Sequence, residues 1–466
     1  MIRFPRLAAL AAALLAAGCA SLDSRPQTAD ATPPIVFVHG NGDSAALWQS
    51  TFWRFESNGW PRSRLHAINL PYPLARDDDS KPQPGRSSTA EHRDYLKSEI
   101  EQVLKRTGAS QVVLVGNSRG GNAIRNYIQT GMQSGTANVS HAILGGTPNH
   151  GVWSRAGERE GSEFAGTGPF LSALNAPKNA AGDEVVGPVR WMTIRSDSND
   201  KFAQPDAGWP GANGKPTGVS HAGPELRGAK NVVIAGIDHR ETSFSAPAFD
   251  ATYRFITGRA PATLAIVPEA QVTLAGIATG SGLTPLDPKS GNFASNLPLP
   301  GARLEVYAVQ AGGTEAGSRI GQALHTQTIG ADGKWGPFRA QPGVPYEFVL
   351  SAPGYATTHI YRSGFPRSSD ILVLRPERIA EADRAAKQIV LLTRPRGYLD
   401  AARDRILLDG RAPGGLPARG GMLATSKLLL QEESPRAVPA EFNGERLAGR
   451  SWSAADGHVT VLELTH

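Results

Sequence analysis

The stretch Gln111–Ile124, QVVLVGNSRGGNAI, constrains this chain more than any other. Four apolar residues, Val112–Val115, run into Gly116-Asn117-Ser118-Arg119-Gly120. Beyond that point Ala123 and Tyr127, and Ile124 and Ile128, recur at the spacing of one helix face. Ser118 is therefore expected where a buried strand turns sharply into a helix. Gly116 and Gly120 leave room where side chains would collide. A bare G-x-S-x-G carries little weight in a chain with 52 glycines. The strand before it and the helix after it make it a nucleophile elbow. Ser118 is then a candidate nucleophile, with the helix N-terminus favouring negative charge. The backbone N–H of Arg119 would face a developing oxyanion.

At 466 residues the chain has room for two or three domains, and its 52 Gly and 35 Pro point to many turns and a β-rich portion. The first residues, MIRFPRLAALAAALLAAGCAS, read as a targeting segment. Arg3 and Arg6 make a basic start, and Leu7–Ala17 is apolar but too short to span a bilayer. Ala16-Ala17-Gly18-Cys19 follows, which resembles a bacterial lipoprotein signal with the usual Leu one place early, at Leu15. The resemblance implies a signal peptide over 1–18, lipidation of Cys19 and a tether over 19–32. Ala20, rather than Asp, resembles outer-membrane sorting. The expected location is the bacterial cell envelope, lipid-anchored; a plain secretory signal, giving a periplasmic or secreted protein, is the alternative. Cys19 is the only cysteine, so no intramolecular disulfide can form.

Removing residues 1–18 takes away two arginines and no acid, which lowers the formal charge from +6 to +4. With no Lys/Arg run, nucleic acid is not an expected partner. No zinc-like spacing occurs, and Asp77-Asp78-Asp79 reads as a solvated loop, so neither a metal nor another cofactor is expected.

Pro33-Pro34 opens Ile35–Val38, a continuous apolar run that reads as a buried parallel strand and ends in His39-Gly40-Asn41-Gly42. Further strands are predicted at 65–70, 112–115, 139–144, 189–194 and 231–235. Helices are predicted from Asp43 or Ser44 through Asn58, over 91–107, after the elbow, and over 247–256. Residues 152–188 form no convincing long element, and a cap or lid over the site is the expectation.

The His39-Gly40-Asn41-Gly42 segment resembles the oxyanion loop of α/β-hydrolases, which implies the N–H of Asn41 as a second oxyanion donor. Thr147-Pro148-Asn149-His150-Gly151 resembles a loop found after the corresponding strand in many lipases. In such folds the third triad member follows the strand that here is 189–194, where Asp197 and Asp200 stand. The Asn199-Asp200 pair and the downstream Pro205 favour Asp200. The base belongs in the loop after the last strand, where His239 stands; His150 is second choice, and His39 belongs to the oxyanion loop. The order Ser118, Asp200, His239 is that of α/β-hydrolases. Residues 33–257 thus resemble an α/β-hydrolase of the bacterial lipase/esterase kind. The layout resembles two-domain archaeal lipases with a β-rich domain after a short hydrolase core. The acid departs from that pattern, because the segment after Leu144 holds Asn149 and no Asp.

Beyond Gly258 the chain shows short alternating runs and frequent turns, as in β-sandwiches. Ala331-Asp332-Gly333-Lys334 is a hairpin signal, Pro342–Tyr355 resembles transthyretin-like modules, and Ile379–Lys387 is weakly helical. The expected class is α/β, a minimal hydrolase core of about six mainly parallel strands over 33–259. A β-sandwich-like domain over 260–380 and a second β-rich subdomain over 381–466 follow. The resemblance implies a carboxylic ester hydrolase working through an acyl-enzyme on lipid or other apolar esters. Because the triad and both oxyanion donors lie before residue 240 and Gly258–Pro261 is a short connection, the β-rich half is expected to shape substrate access and not chemistry. A polyester depolymerase with the same triad is one alternative. A non-catalytic cell-surface binding protein with a hydrolase-like core is another.

Overall fold

The computed structural model describes residues 32–130, 132–203, 217–416 and 423–465. Cys19, the signal segment 1–18, the tether up to residue 31 and Pro205 lie outside the described residues.

Six parallel strands form the first sheet: β1 (Ile35–Val38), β2 (Leu65–Ala67), β3 (Val112–Asn117), β4 (Val139–Gly145), β5 (Arg190–Arg195) and β6 (Lys230–Val233). Their order is β2-β1-β3-β4-β5-β6. Side chains alternate across a strand, so a sheet covered on both faces needs apolar residues at every position. That is why β1 reads IVFV. Ile35 and Phe37 enter one core with Phe52, Phe55 and Phe249, while Val36 and Val38 enter the other with Leu96, Ile100 and Ile124. Helices α1 (Gln49–Ser57) and α4 (Ala246–Thr257) cover the first face; α2 (Thr89–Thr107) and α3 (Arg119–Thr130) cover the second.

Helix α2 begins two residues earlier than the apolar period suggests. Ser88 accepts from the Glu91 N–H at 3.1 Å, and Glu91 accepts from the Ser88 N–H at 2.7 Å, a capping box. The Asp77–Asp79 loop spends its carboxylates locally: Asp79 accepts from the Thr89 N–H at 2.7 Å, at the start of α2. The insertion 152–188 holds one short helix, Pro169–Leu174.

The C-terminal half is a three-layered β structure. Strand Val272–Ser281 is central to a four-stranded sheet, which faces a seven-stranded sheet across a core containing Leu274, Trp335, Phe348 and Val461. The other face of the seven-stranded sheet packs on a three-stranded sheet through Val390, Leu392, Val438 and Phe442. In the seven-stranded sheet, His458–Glu463 lies parallel between Thr357–Arg362 and Gln388–Thr393. The boundary expected at residue 380 therefore falls inside one sheet. Two local expectations are corrected. The turn at Asp332-Gly333 exists, but the strands on either side, His325–Thr328 and Lys334–Ala340, join different sheets instead of pairing as a hairpin. The weakly helical Ile379–Lys387 reduces to one 3-10 turn, Glu381–Asp383, where apolar spacing is too sparse to bury a longer helix.

Candidate active site

Ser118 stands between β3 and α3 with φ +53, a left-handed conformation that a serine adopts only where its surroundings hold it. Its N–H donates to the Gly145 carbonyl at 2.8 Å, and its own carbonyl accepts from Gly121 N–H at 3.0 Å. The elbow needs glycine at 120, because a Cβ there would stand 2.3 Å from the Val38 carbonyl oxygen. Gly40 also comes close from the β1 loop: a Cβ on it would lie 3.1 Å from the Ser118 Cβ. The loop carrying Asn41 is thereby laid against the serine. Asn41 Oδ1 accepts from the Ala75 N–H at 2.7 Å, which fixes the side chain.

His39 shapes this loop. Its Nδ1 donates to the Gly40 carbonyl at 2.9 Å, and its Nε2 accepts from the Leu70 N–H at 3.1 Å. That pairing requires the neutral ring, and burial pushes its pKa below the usual histidine value.

Across the site, His239 Nδ1 lies 2.9 Å from Asp200 Oδ2, with both side chains buried. Its Nε2 is also buried and has no hydrogen-bond partner among the described residues. The Phe202 ring packs edge-on against the imidazole at 4.4 Å. Asn117 Nδ2 donates to the His239 carbonyl at 3.1 Å, which fastens this loop to the residue before Ser118. Asp197 points elsewhere: its carboxylate accepts from Asn199 N–H at 3.0 Å and Gly236 N–H at 3.1 Å. His150 pairs with Glu184 at 3.1 Å, in a group with Arg227. The sequence-predicted Ser118, Asn41, Asp200 and His239 are thus drawn to one end of the parallel sheet, and Asp197 and His150 are taken up by other contacts.

Arg119 contributes more than a backbone N–H. Its fully buried guanidinium pairs with Glu163 at 2.9 Å and donates to the Ser87 carbonyl at 2.6 Å and the Pro73 carbonyl at 3.1 Å. Lys201, next to Asp200, lies 4.2 Å from the Tyr398 ring, and burial, with the Arg240 charge nearby, lowers it to about 8.

The residues flanking His239 were not singled out from sequence. Asp238 and Glu241 hold each other's backbone N–H groups, Asp238 Oδ1 to Glu241 N–H at 2.9 Å and Glu241 Oε2 to Asp238 N–H at 2.7 Å. The D-x-x-E spacing of Asp238-His239-Arg240-Glu241 is the signal that could have found them. Among the described residues, no group of three or more His, Cys, Asp or Glu side chains is placed to hold a metal ion.

Comparison with known proteins bears on both halves. Residues 32–154 match the family described as Lipase (class 2), and residues 270–379 match the family described as Lipase C-terminal domain. Over residues 32–154 the chain is similar to class 2 lipases. No curated protein matches the sequence. Among solved structures, lipase B of Aspergillus fumigatus is 15% identical with a TM-score of 0.34, over 50% of this chain and 54% of that one. The chain thus spans about half the length of that lipase. Lipase BlEst2 of Bacillus licheniformis is 19% identical with a TM-score of 0.33, over 50% of this chain and 92% of that one. Phospholipase PlaB of Legionella pneumophila is 12% identical with a TM-score of 0.36, over 75% of this chain and 96% of that one. The fold class rests on this chain's own sheet order.

Proposed function

We infer that this protein is a serine carboxylic ester hydrolase acting on lipid or other apolar esters. The observation that carries the reading is the His239–Asp200 pair at 2.9 Å, with the opposite ring nitrogen buried and unpartnered among the described residues, beside a strained elbow serine. Asp200 holds the Nδ1–H tautomer and stabilises the imidazolium once it forms. His239 Nε2 takes the Ser118 hydroxyl proton as Oγ attacks the ester carbonyl carbon. The N–H groups of Asn41 and Arg119 stabilise the tetrahedral oxyanion. The intermediate collapses, and Nε2 gives its proton to the departing alkoxide. Water then hydrolyses the acyl-Ser118 ester with His239 again as base, releasing the acid and restoring the serine.

Hydrolysis of p-nitrophenyl esters of increasing acyl length tests the reading, with Ser118→Ala as the partner variant. Turnover by the native chain that is lost in a folded Ser118→Ala protein is the expected result. Undiminished turnover in that variant would overturn it.

Cys19 is proposed as the lipidated N-terminus of an envelope-anchored protein, from the basic, apolar and small-residue order of 1–19. Several acyl chains on one cysteine would anchor it stably. Mass spectrometry of the mature N-terminus decides this: an unmodified start at another residue would mean simple secretion.

A further inference from the structure

His239 lies inside the four-residue turn Asp238–Glu241, and that turn is gripped by the C-terminal half of the chain. Within the turn, Asp238 Oδ1 accepts from the N–H groups of Arg240 at 2.8 Å and Glu241 at 2.9 Å. The second oxygen of each carboxylate is held from outside. Arg394 reaches both acids, with Nη1 2.9 Å from Asp238 Oδ2 and Nη2 2.6 Å from Glu241 Oε1. The Tyr398 N–H donates to the same Asp238 oxygen at 2.8 Å. Arg403 Nη1 donates to Glu241 Oε2 at 2.6 Å. Arg394 directly follows strand Gln388–Thr393, which has neighbours on both sides in the seven-stranded sheet. The Arg394 and Asp238 side chains are only 4% and 1% exposed, so water cannot take the place of either partner.

A guanidinium fork that spans two carboxylates fixes direction as well as distance, which a single ammonium does not. We propose that Arg394 is a positioning residue for His239: by joining Asp238 to Glu241 it sets the backbone on both sides of the base, so the C-terminal β structure completes the active site. The proposal rests on the Ser118–His239–Asp200 reading above and extends it to residues more than 130 positions downstream. Its physical content is alignment. The imidazole must present Nε2 to Ser118 while Nδ1 stays on Asp200, and the turn that carries it has its carboxylates tied to a strand end of another sheet. Displacement of a reacting group by about 1 Å can lower turnover 10²-fold.

The test compares Arg394→Met, Arg394→Lys and Arg362→Met in the full chain. Arg362 is also a buried arginine between the two halves, pairing with Glu463 and donating to Gln49 Oε1, but it does not touch the His239 turn. Arg394→Met is expected to lower kcat about 100-fold with KM within a factor of about two. Arg394→Lys should recover part of kcat, and Arg362→Met should lower thermal stability with native kcat. A folded Arg394→Met protein with native kcat would overturn the proposal. So would equal falls in kcat for Arg394→Met and Arg362→Met, which would mean that any loosening of the contact is enough. If Arg394→Met does not fold, Arg394→Lys decides: native kcat overturns the proposal, and a selective fall in kcat supports it. Ser118→Ala, assayed beside them, reports on the triad separately, because its activity overturns the underlying reading whatever Arg394 does.

Discussion

Arg119 and Glu163 form an ion pair at 2.9 Å with side chains 0% and 3% exposed, joining the residue after the elbow serine to the middle of the 152–188 insertion. A second arginine of α3, Arg125, donates to the Leu174 carbonyl at 3.1 Å and to Asn175 Oδ1 at 2.8 Å, at the end of the insertion's helix. The insertion expected as a cap is thus tied down at two points to the helix that follows Ser118. Burial raises the Glu163 pKa, and the Arg119 charge opposes it.

Removing one partner of a buried pair leaves the other without compensation, at about 3–5 kcal/mol. Glu163→Ala should lose stability on that scale in urea denaturation. It should also make 152–188 more sensitive to limited proteolysis. Glu163→Gln keeps the shape and an acceptor, and should lose less. Native stability in Glu163→Ala would show that the pair does not hold the insertion.

Asp200 and Asp197 make opposite predictions. Asp200 pairs with the imidazole, whereas Asp197 closes a turn through Gly236. Asp200→Asn should lower kcat by about 10⁴, as expected when the base is held in the wrong tautomer. Asp197→Asn should leave kcat within about tenfold and act mainly on stability. The reverse order in steady-state kinetics would move the acid to Asp197.

How far the sequence could be read follows from where the information lies. β1 and β3 were legible because a strand buried on both faces has no polar positions, and the elbow because glycines and period change together. Asp200 and His239 followed from chain order by family resemblance. The seven-stranded sheet was not legible, since it inserts His458–Glu463 between strands that are about 70 to 100 residues earlier in the chain, and alternation says nothing about partners. The grip of Arg394 on the His239 turn was invisible for the same reason: 153 positions separate Arg394 from Glu241.

Acid should destabilise the protein through two half-buried histidines. Burial, with Arg106 and Arg62 nearby, lowers His66 to about 4, and burial with Arg190 lowers His141 to about 4. The unfolded chain takes up these protons near the ordinary histidine value of 6.5 while the folded chain does not. Their contribution is present above about 6.5 and is lost as pH falls toward 4. Glu56 has the opposite sign: burial raises it to about 7, so its contribution is present below 4.5 and lost as pH rises through 7. His66→Gln should therefore flatten the fall in urea midpoint between pH 6.5 and pH 4. An unchanged slope would mean that His66 titrates alike in both states.

The two halves are expected to unfold together. Trp53, on α1 of the hydrolase core, is 1% exposed and belongs to the apolar core of the β-rich half, not to that of its own sheet. Its Nε1 donates to the Ser368 carbonyl at 2.8 Å, and its ring meets Phe365 edge-on at 6.5 Å. Arg54 and Asn58, one and five residues on, donate to the carbonyls of Leu264 and Thr263. A helix from one half thus supplies a core residue to the other, while Arg394 ties the His239 turn at a separate place. Domains joined by small polar contacts unfold separately; a shared apolar core makes the loss of one half expose the interior of the other. Calorimetry of the native chain should show one transition. Trp53→Ala should lower its stability by about 3–5 kcal/mol, the cost of deleting a buried aromatic ring, and should split the transition in two. Two separated transitions in the native chain, with Trp53→Ala shifting only the one assigned to the β-rich half, would show instead that the hydrolase core stands alone. Turnover of short esters, if it survived melting of the β-rich half in that case, would also remove the need for Arg394 to hold the His239 turn.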